Sequence, residues 1–82
     1  MKVKVKQLAE NQFIIDSNDG IIFQSYNSII AIKKHGKITL DRVYWDYSKT
    51  TGKYRNMFLN ETKKETERKI KAGIYQLANL NE

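Results

Sequence analysis

The sequence has no cysteine, no proline and one histidine, His35. Without cysteine no disulfide framework forms, and one histidine cannot build a Cys/His zinc site, so packing alone must hold the chain together. Nothing in that composition points to an oxidising compartment. The four glycines, at 20, 36, 52 and 73, are widely spaced, and no Ser- or Gln-rich tract occurs. Linkers and low-complexity segments are therefore absent. Nowhere do 18 apolar residues run together, which excludes a membrane-spanning helix on length. The N-terminus alternates Val with Lys where a secretion signal would have an apolar run. The chain reads as cytoplasmic, with no membrane partner.

What is present fits a single domain over residues 1–82, with one small core. Fifteen Lys and Arg against nine Asp and Glu leave a net charge of +6, which draws the protein towards anionic partners.

The first half has the two-residue period of strands. Met1, Val3 and Val5 interleave with Lys2, Lys4 and Lys6, and further strands are expected over residues 12–16, 21–26, 29–32 and 37–41. Asp19-Gly20 and His35-Gly36 are the turn signals. Residues 42–45 either extend the fifth strand or bend away from it. After Trp45 the period changes: Ser48 suits an N-cap, and a helix over residues 49–59 would put Tyr54, Met57 and Phe58 on one face, with Gly52 weakening its first turn. The run from Thr62 to Glu65 matches a capping box, so a second, basic and mostly solvated helix starts at Thr62 and stops at Gly73. Residues 74–80 read as a closing strand or extended tail.

The expected fold is α+β: a small antiparallel sheet of four to six strands, an N-terminal meander covered on one face by a short helix, with a second basic helix near the C-terminus. Val3, Val5, Phe13, Ile15, Ile22, Ile30, Ile32, Ile38 and Leu40 are expected to form its buried face. A domain this small has little stability to spare, and a homodimer through a sheet edge or an apolar patch would add to it.

Catalytic material is scarce. His35 sits in a turn signal without a partner for acid–base work. Asp41 and Asp46 are separated by Arg42 and lack a third ligand at metal spacing, so they read as turn or cap carboxylates. Thr51-Gly52-Lys53 fails as a phosphate loop: Tyr47 stands where its first glycine belongs, and Tyr54 where Ser or Thr belongs. Asn60-Glu61-Thr62 spells a glycosylation sequon that has no secretion signal to make it meaningful. The expectation is a protein that binds without chemistry, with no catalytic residue, metal or cofactor.

Charge is concentrated between residues 42 and 71, where nine Lys and Arg face four acids. Tyr44, Trp45, Tyr47 and Tyr54 are interleaved with it. The candidate binding residues are Arg42, Tyr44, Tyr47, Lys49, Lys53, Arg55, Lys64, Arg68 and Lys71. Cations beside aromatic rings suit single-stranded nucleic acid, through phosphate attraction and base stacking. Tyr, Trp and Arg equally suit a protein interface. Trp45 and some tyrosines also suit the core beneath the first helix.

The run from Phe23 to Ala31, and then Tyr44-Trp45-Asp46-Tyr47-Ser48 with Thr50-Thr51, Lys53-Tyr54, Phe58-Leu59, Ile70 and Gly73, resembles a family of small uncharacterised proteins encoded by bacteriophages and prophages. The resemblance implies a phage origin and action in the bacterial cytoplasm. It favours binding and inhibition of a host protein or nucleoprotein, of the anti-CRISPR or other anti-defence type, with direct nucleic-acid binding as the alternative. It assigns no functional residue.

Overall fold

Short turns divide the first half of the chain into five strands, β1 (Lys4–Ala9), β2 (Gln12–Ser17), β3 (Gly20–Ser25), β4 (Ser28–Lys34) and β5 (Lys37–Asp41). In this computed structural model, which describes residues 3–81, β4 turns into β5 through His35 and Gly36 at φ 52° and 75°. Two consecutive positive φ values are the signature of a type I′ hairpin, whose twist matches that of the strands. Gly20, at φ 127°, opens β3, and a Cβ there would lie 2.6 Å from the Lys33 carbonyl oxygen. The first strand starts later than the Val/Lys alternation implies: Val3 precedes it, and Met1 and Lys2 lie outside the described residues.

β1 to β5 form an antiparallel meander. Residues 42–47 do not extend β5; they turn, because Asp41 Oδ2 accepts the Val43 and Tyr44 backbone N–H groups at 3.0 and 2.8 Å. Helix α1 (Lys49–Leu59) and helix α2 (Lys63–Lys71) come next, and β6 (Gln76–Ala78) returns parallel to β5. A parallel neighbour needs a crossover, and the two helices supply it. The N-caps are those expected: Ser48 Oγ accepts from Thr51 N, and Thr62 and Glu65 form a reciprocal capping box.

The sheet is apolar on both faces, which corrects the expected single buried set. Phe23, Ala31 and Leu40 are in register on the face that α1 covers, with Ile14 opposite Phe23. An irregularity in β4, between the pairs at Phe23 and Gln24, leaves Ile30 as an extra residue, buried like Ala31. Val5, Ile15, Ile22 and Ile32 pair in a row on the other face. Consecutive isoleucines at 14–15 and 21–22 put one on each side, so alternation could not single out one face.

Helix α1 also turns differently from the expectation. Thr51, Gly52, Arg55 and Leu59 are buried, while Met57 is exposed and Tyr54 half-buried. Phe58 stacks on Phe23, centroids 5.8 Å apart. The apolar cluster joins Ala31, Leu40, Leu59 and Tyr75 to Ile38, Trp45, Phe58 and Ile70. Beside it the interior is polar: Gln12, Ser25, Asp41, Thr51, Arg55 and Thr66 are as buried as the core. Ser25 and Thr51 share a hydrogen bond of 2.9 Å between β3 and α1.

Gly52 is buried with the Arg55 guanidinium folded over it, and an added Cβ would rest 3.6 Å from Arg55 Nη2, an ordinary contact. Gly52→Ala should therefore stabilise the protein, by up to about 1 kcal/mol from helix propensity. Gly20→Ala should destabilise it by more than about 1 kcal/mol, from positive φ and the Lys33 carbonyl together. Urea unfolding of the two variants checks both signs.

Candidate functional site

Asp41 ends β5, and its two oxygens organise the segments on either side of the helices. Oδ2 holds the turn after β5, and Oδ1 accepts the Leu80 backbone N–H at 2.8 Å. Burial pushes this carboxyl up, but hydrogen bonds from Leu80, Tyr44, Asn81 and Val43 outweigh it and hold it below the ordinary aspartate value. The turn it fixes sends Trp45 inward against the apolar cluster and leaves Tyr47 65% exposed. Tyr44 and Tyr47 meet edge to face, 5.4 Å between centroids.

Arg55 corrects the expected set of binding residues. It is 1% exposed, and Nη1 donates to the Trp45 carbonyl at 2.8 Å and to Asp46 Oδ1 at 3.1 Å. Nη2 donates to Asn56 Oδ1, and the guanidinium lies 5.2 Å from the Trp45 ring centroid. Its task is to fasten α1 to the turn before it. Asp46 also takes Lys63 at 2.7 Å; burial raises its carboxyl, and the two cations more than reverse that.

Glu61, in sequence only the middle of a meaningless sequon, closes the helical layer. Its side chain is 3% exposed. Oε1 accepts from Lys69 Nζ and from the Tyr75 hydroxyl, each at 2.7 Å, and Oε2 accepts from the Thr66 hydroxyl at 2.6 Å. Burial again opposes the charge, while the bonds from Lys69, Thr66 and Tyr75 hold the carboxyl below the ordinary glutamate value. Helix α2 is thus anchored through Thr66, Lys69 and Ile70, more firmly than its two apolar residues suggested. Ala72 is exposed.

Three of the nine cations of residues 42–71, Arg55, Lys63 and Lys69, are spent on these ion pairs. Arg42, Lys49, Lys53, Lys64, Arg68 and Lys71 are exposed and enter no ion pair among the described residues. Lys49, Lys53 and Lys63 line one shallow cleft of about 620 Å³ with Asp46. Lys64, Arg68 and Lys71, spaced i, i+4, i+7, share one side of α2 around another.

Three tyrosines gather at one end of the sheet. Tyr26, Tyr44 and Tyr47 line a groove of about 510 Å³ with Asn27, Ser28 and, at the start of α1, Ser48 and Thr51. Tyr26 was not among the expected site residues. It lies at φ 56° in the β3–β4 turn and is 47% exposed. A bulky residue there costs on the order of 1 kcal/mol, and its one sequence signal is a tyrosine beside Asn27 where glycine or asparagine would be easier. His35 stands apart, exposed in its turn.

The chain belongs to a family of unknown function, DUF8033, whose model matches residues 1–73. No curated protein and no solved structure matches it.

Three depressed carboxyls set the acid limit of the fold. Each contributes stability that is present above the ordinary carboxylate range and is lost as pH falls through its lowered value. Thermal midpoints should therefore drop on acidification below that range. Glu61→Gln should cost about 1.5–3 kcal/mol near neutrality and should flatten the acid limb, which melting curves against pH would read.

Proposed function

We propose that this protein is a non-enzymatic binding module that acts by occupying a host protein or nucleoprotein, through the tyrosine groove and the basic helical surface beside it. The observation that carries this reading is the grouping of three tyrosines around an open groove, with six cations in the same half of the chain left out of the internal ion pairs. The remaining cations are not neutralised by ion pairs among the described residues and create a positive field over the helices. Given the resemblance to phage and prophage proteins, the partner belongs to a bacterial host and the outcome is inhibition, of the anti-CRISPR or other anti-defence kind.

The groove also favours a second reading, direct binding of single-stranded nucleic acid. Tyrosine faces stack on bases regardless of sequence, and neighbouring cations meet the phosphates.

Two variants test the surface itself. Lys64, Arg68 and Lys71 changed together to Glu should leave the melting transition in place, since all three are exposed. Tyr26→Asn should raise stability by relieving its backbone while weakening whatever the groove holds. Under the leading reading, the wild-type protein retains a host nucleoprotein or protein that both variants release. Equal retention by all three would overturn it. Under the second reading, a single-stranded oligonucleotide binds the purified protein with a log–log salt slope of about −2 to −4, for three to six phosphates neutralised. No binding at low salt would sink that alternative.

A further inference from the structure

The sheet face turned away from the helices carries an apolar row with no helix or strand of the described residues packed across it. Val5, Ile15, Ile22 and Ile32 are cross-strand partners in register over β1 to β4, and the same row runs on to Thr39 and Gln76. Phe13 lies in the next row, between Gln7 and Gln24. Among the described residues the tail after β6 skirts one side of this face, with Leu80 beside Ile32 and Thr39 and the Asn81 side chain bonded to the Ile29 backbone in β4. Val5 is 62% exposed, although the covered side has a core of only a few side chains.

We infer that this face is the interface of a symmetric homodimer, in which two copies pack sheet against sheet. Charge argues for a second copy over another partner. The row is uncharged, with Lys34 and Lys37 at one end and the Gln7 and Gln24 amides at the other. It offers nothing to the anionic partners that the helical surface attracts. A row of β-branched side chains offers the same surface from both copies, which is what a two-fold interface requires. Running the strands of the two copies antiparallel keeps both lysine ends apart.

Size agrees. Five strands spaced about 4.8 Å apart and six residues long present a face of roughly 20 by 20 Å. Two such faces with their polar rims remove on the order of 1,000–1,200 Å² from water, at the lower bound for a specific interface. The dimer therefore dissociates on dilution. The free edge of β1 is a poorer route, because exposed Lys4 and Lys6 and the irregularity between Gln7 and Ala9 obstruct strand addition.

Sedimentation between about 1 and 500 µM tests this. The mean mass should rise from 9.6 kDa towards twice that value. Ile22→Thr with Ile32→Thr keeps both positions β-branched and should weaken association at least about tenfold, with circular dichroism of the dilute protein confirming the fold. Tyr44→Ala with Tyr47→Ala should leave association unchanged, which separates this interface from the binding groove. The chain has no cysteine, so Ile22→Cys gives a second readout. Under mild oxidation it should form a disulfide dimer faster than Val43→Cys, a control 70% exposed in the turn after β5. A monomer at all concentrations, association indifferent to the threonine pair or lost with the tyrosines, or equal oxidation at both cysteines would overturn the proposal.

Discussion

The buried carboxylate of Asp41 determines where three parts of the chain meet. At 1% exposure it takes its compensation from backbone N–H groups and the Asn81 side chain, and from no cation. Those donors belong to the turn after β5 and to the tail after β6, so one side chain fixes both the departure towards the helices and the return from them. Arg42 N donates to the Ala78 carbonyl alongside. Asn81 continues the tail across to β4, where its side chain bonds both the N–H and the C=O of Ile29. The direction of Trp45, the exposure of Tyr47 and the position of Ser48 as the start of α1 all result from that turn.

The helical layer repeats the device with Arg55 and Glu61. Each is a buried charge with several partners, Arg55 with a carbonyl, a carboxylate and an amide on its two Nη atoms while its Nε has no partner among the described residues, Glu61 with an ammonium and two hydroxyls. Buried ion pairs are weak sources of net stability, but a group so partnered is costly to displace. They define one arrangement of α1, α2 and β6 on the sheet, where a cluster of a few apolar side chains would tolerate several. The cost is borne by the composition: Arg55 is withdrawn from the surface and Lys63 and Lys69 are neutralised by Asp46 and Glu61, so what is left of the basic segment is narrower than its charge count suggests.

Much of the fold was legible in local signals. Ser48, the Thr62–Glu65 box and His35-Gly36 each act within four residues, and the elements they bound are where they were expected. What was not legible depends on contacts far apart in sequence. The facing of the strands could not be read where isoleucines are consecutive, and the extra residue in β4 then shifts Ile30 onto the covered side. The inward turn of Arg55 requires Asp46 and Trp45, nine and ten residues away. In the candidate site, Tyr44, Tyr47 and the exposed cations were readable from composition. Tyr26 was not, because it reaches the groove only through the β3–β4 hairpin.

The two surfaces proposed for binding and for pairing lie on opposite sides of one sheet, and this constrains how they combine. Packing two open faces together, about 10 Å apart, turns both helical layers outward. Helices about 10 Å across then separate the two basic surfaces by roughly 30–40 Å. An extended peptide of about ten residues, roughly 33–36 Å long, cannot reach around that distance to engage both. Pairing therefore leaves the affinity for a short ligand unchanged and raises it only for a partner that repeats its binding surface, where the second contact becomes intramolecular. A large nucleoprotein assembly satisfies that condition, and a short oligonucleotide does not. On the two proposals together, the sheet would keep self-association and the binding of an anionic partner as separate equilibria, coupled only through the geometry of what is bound.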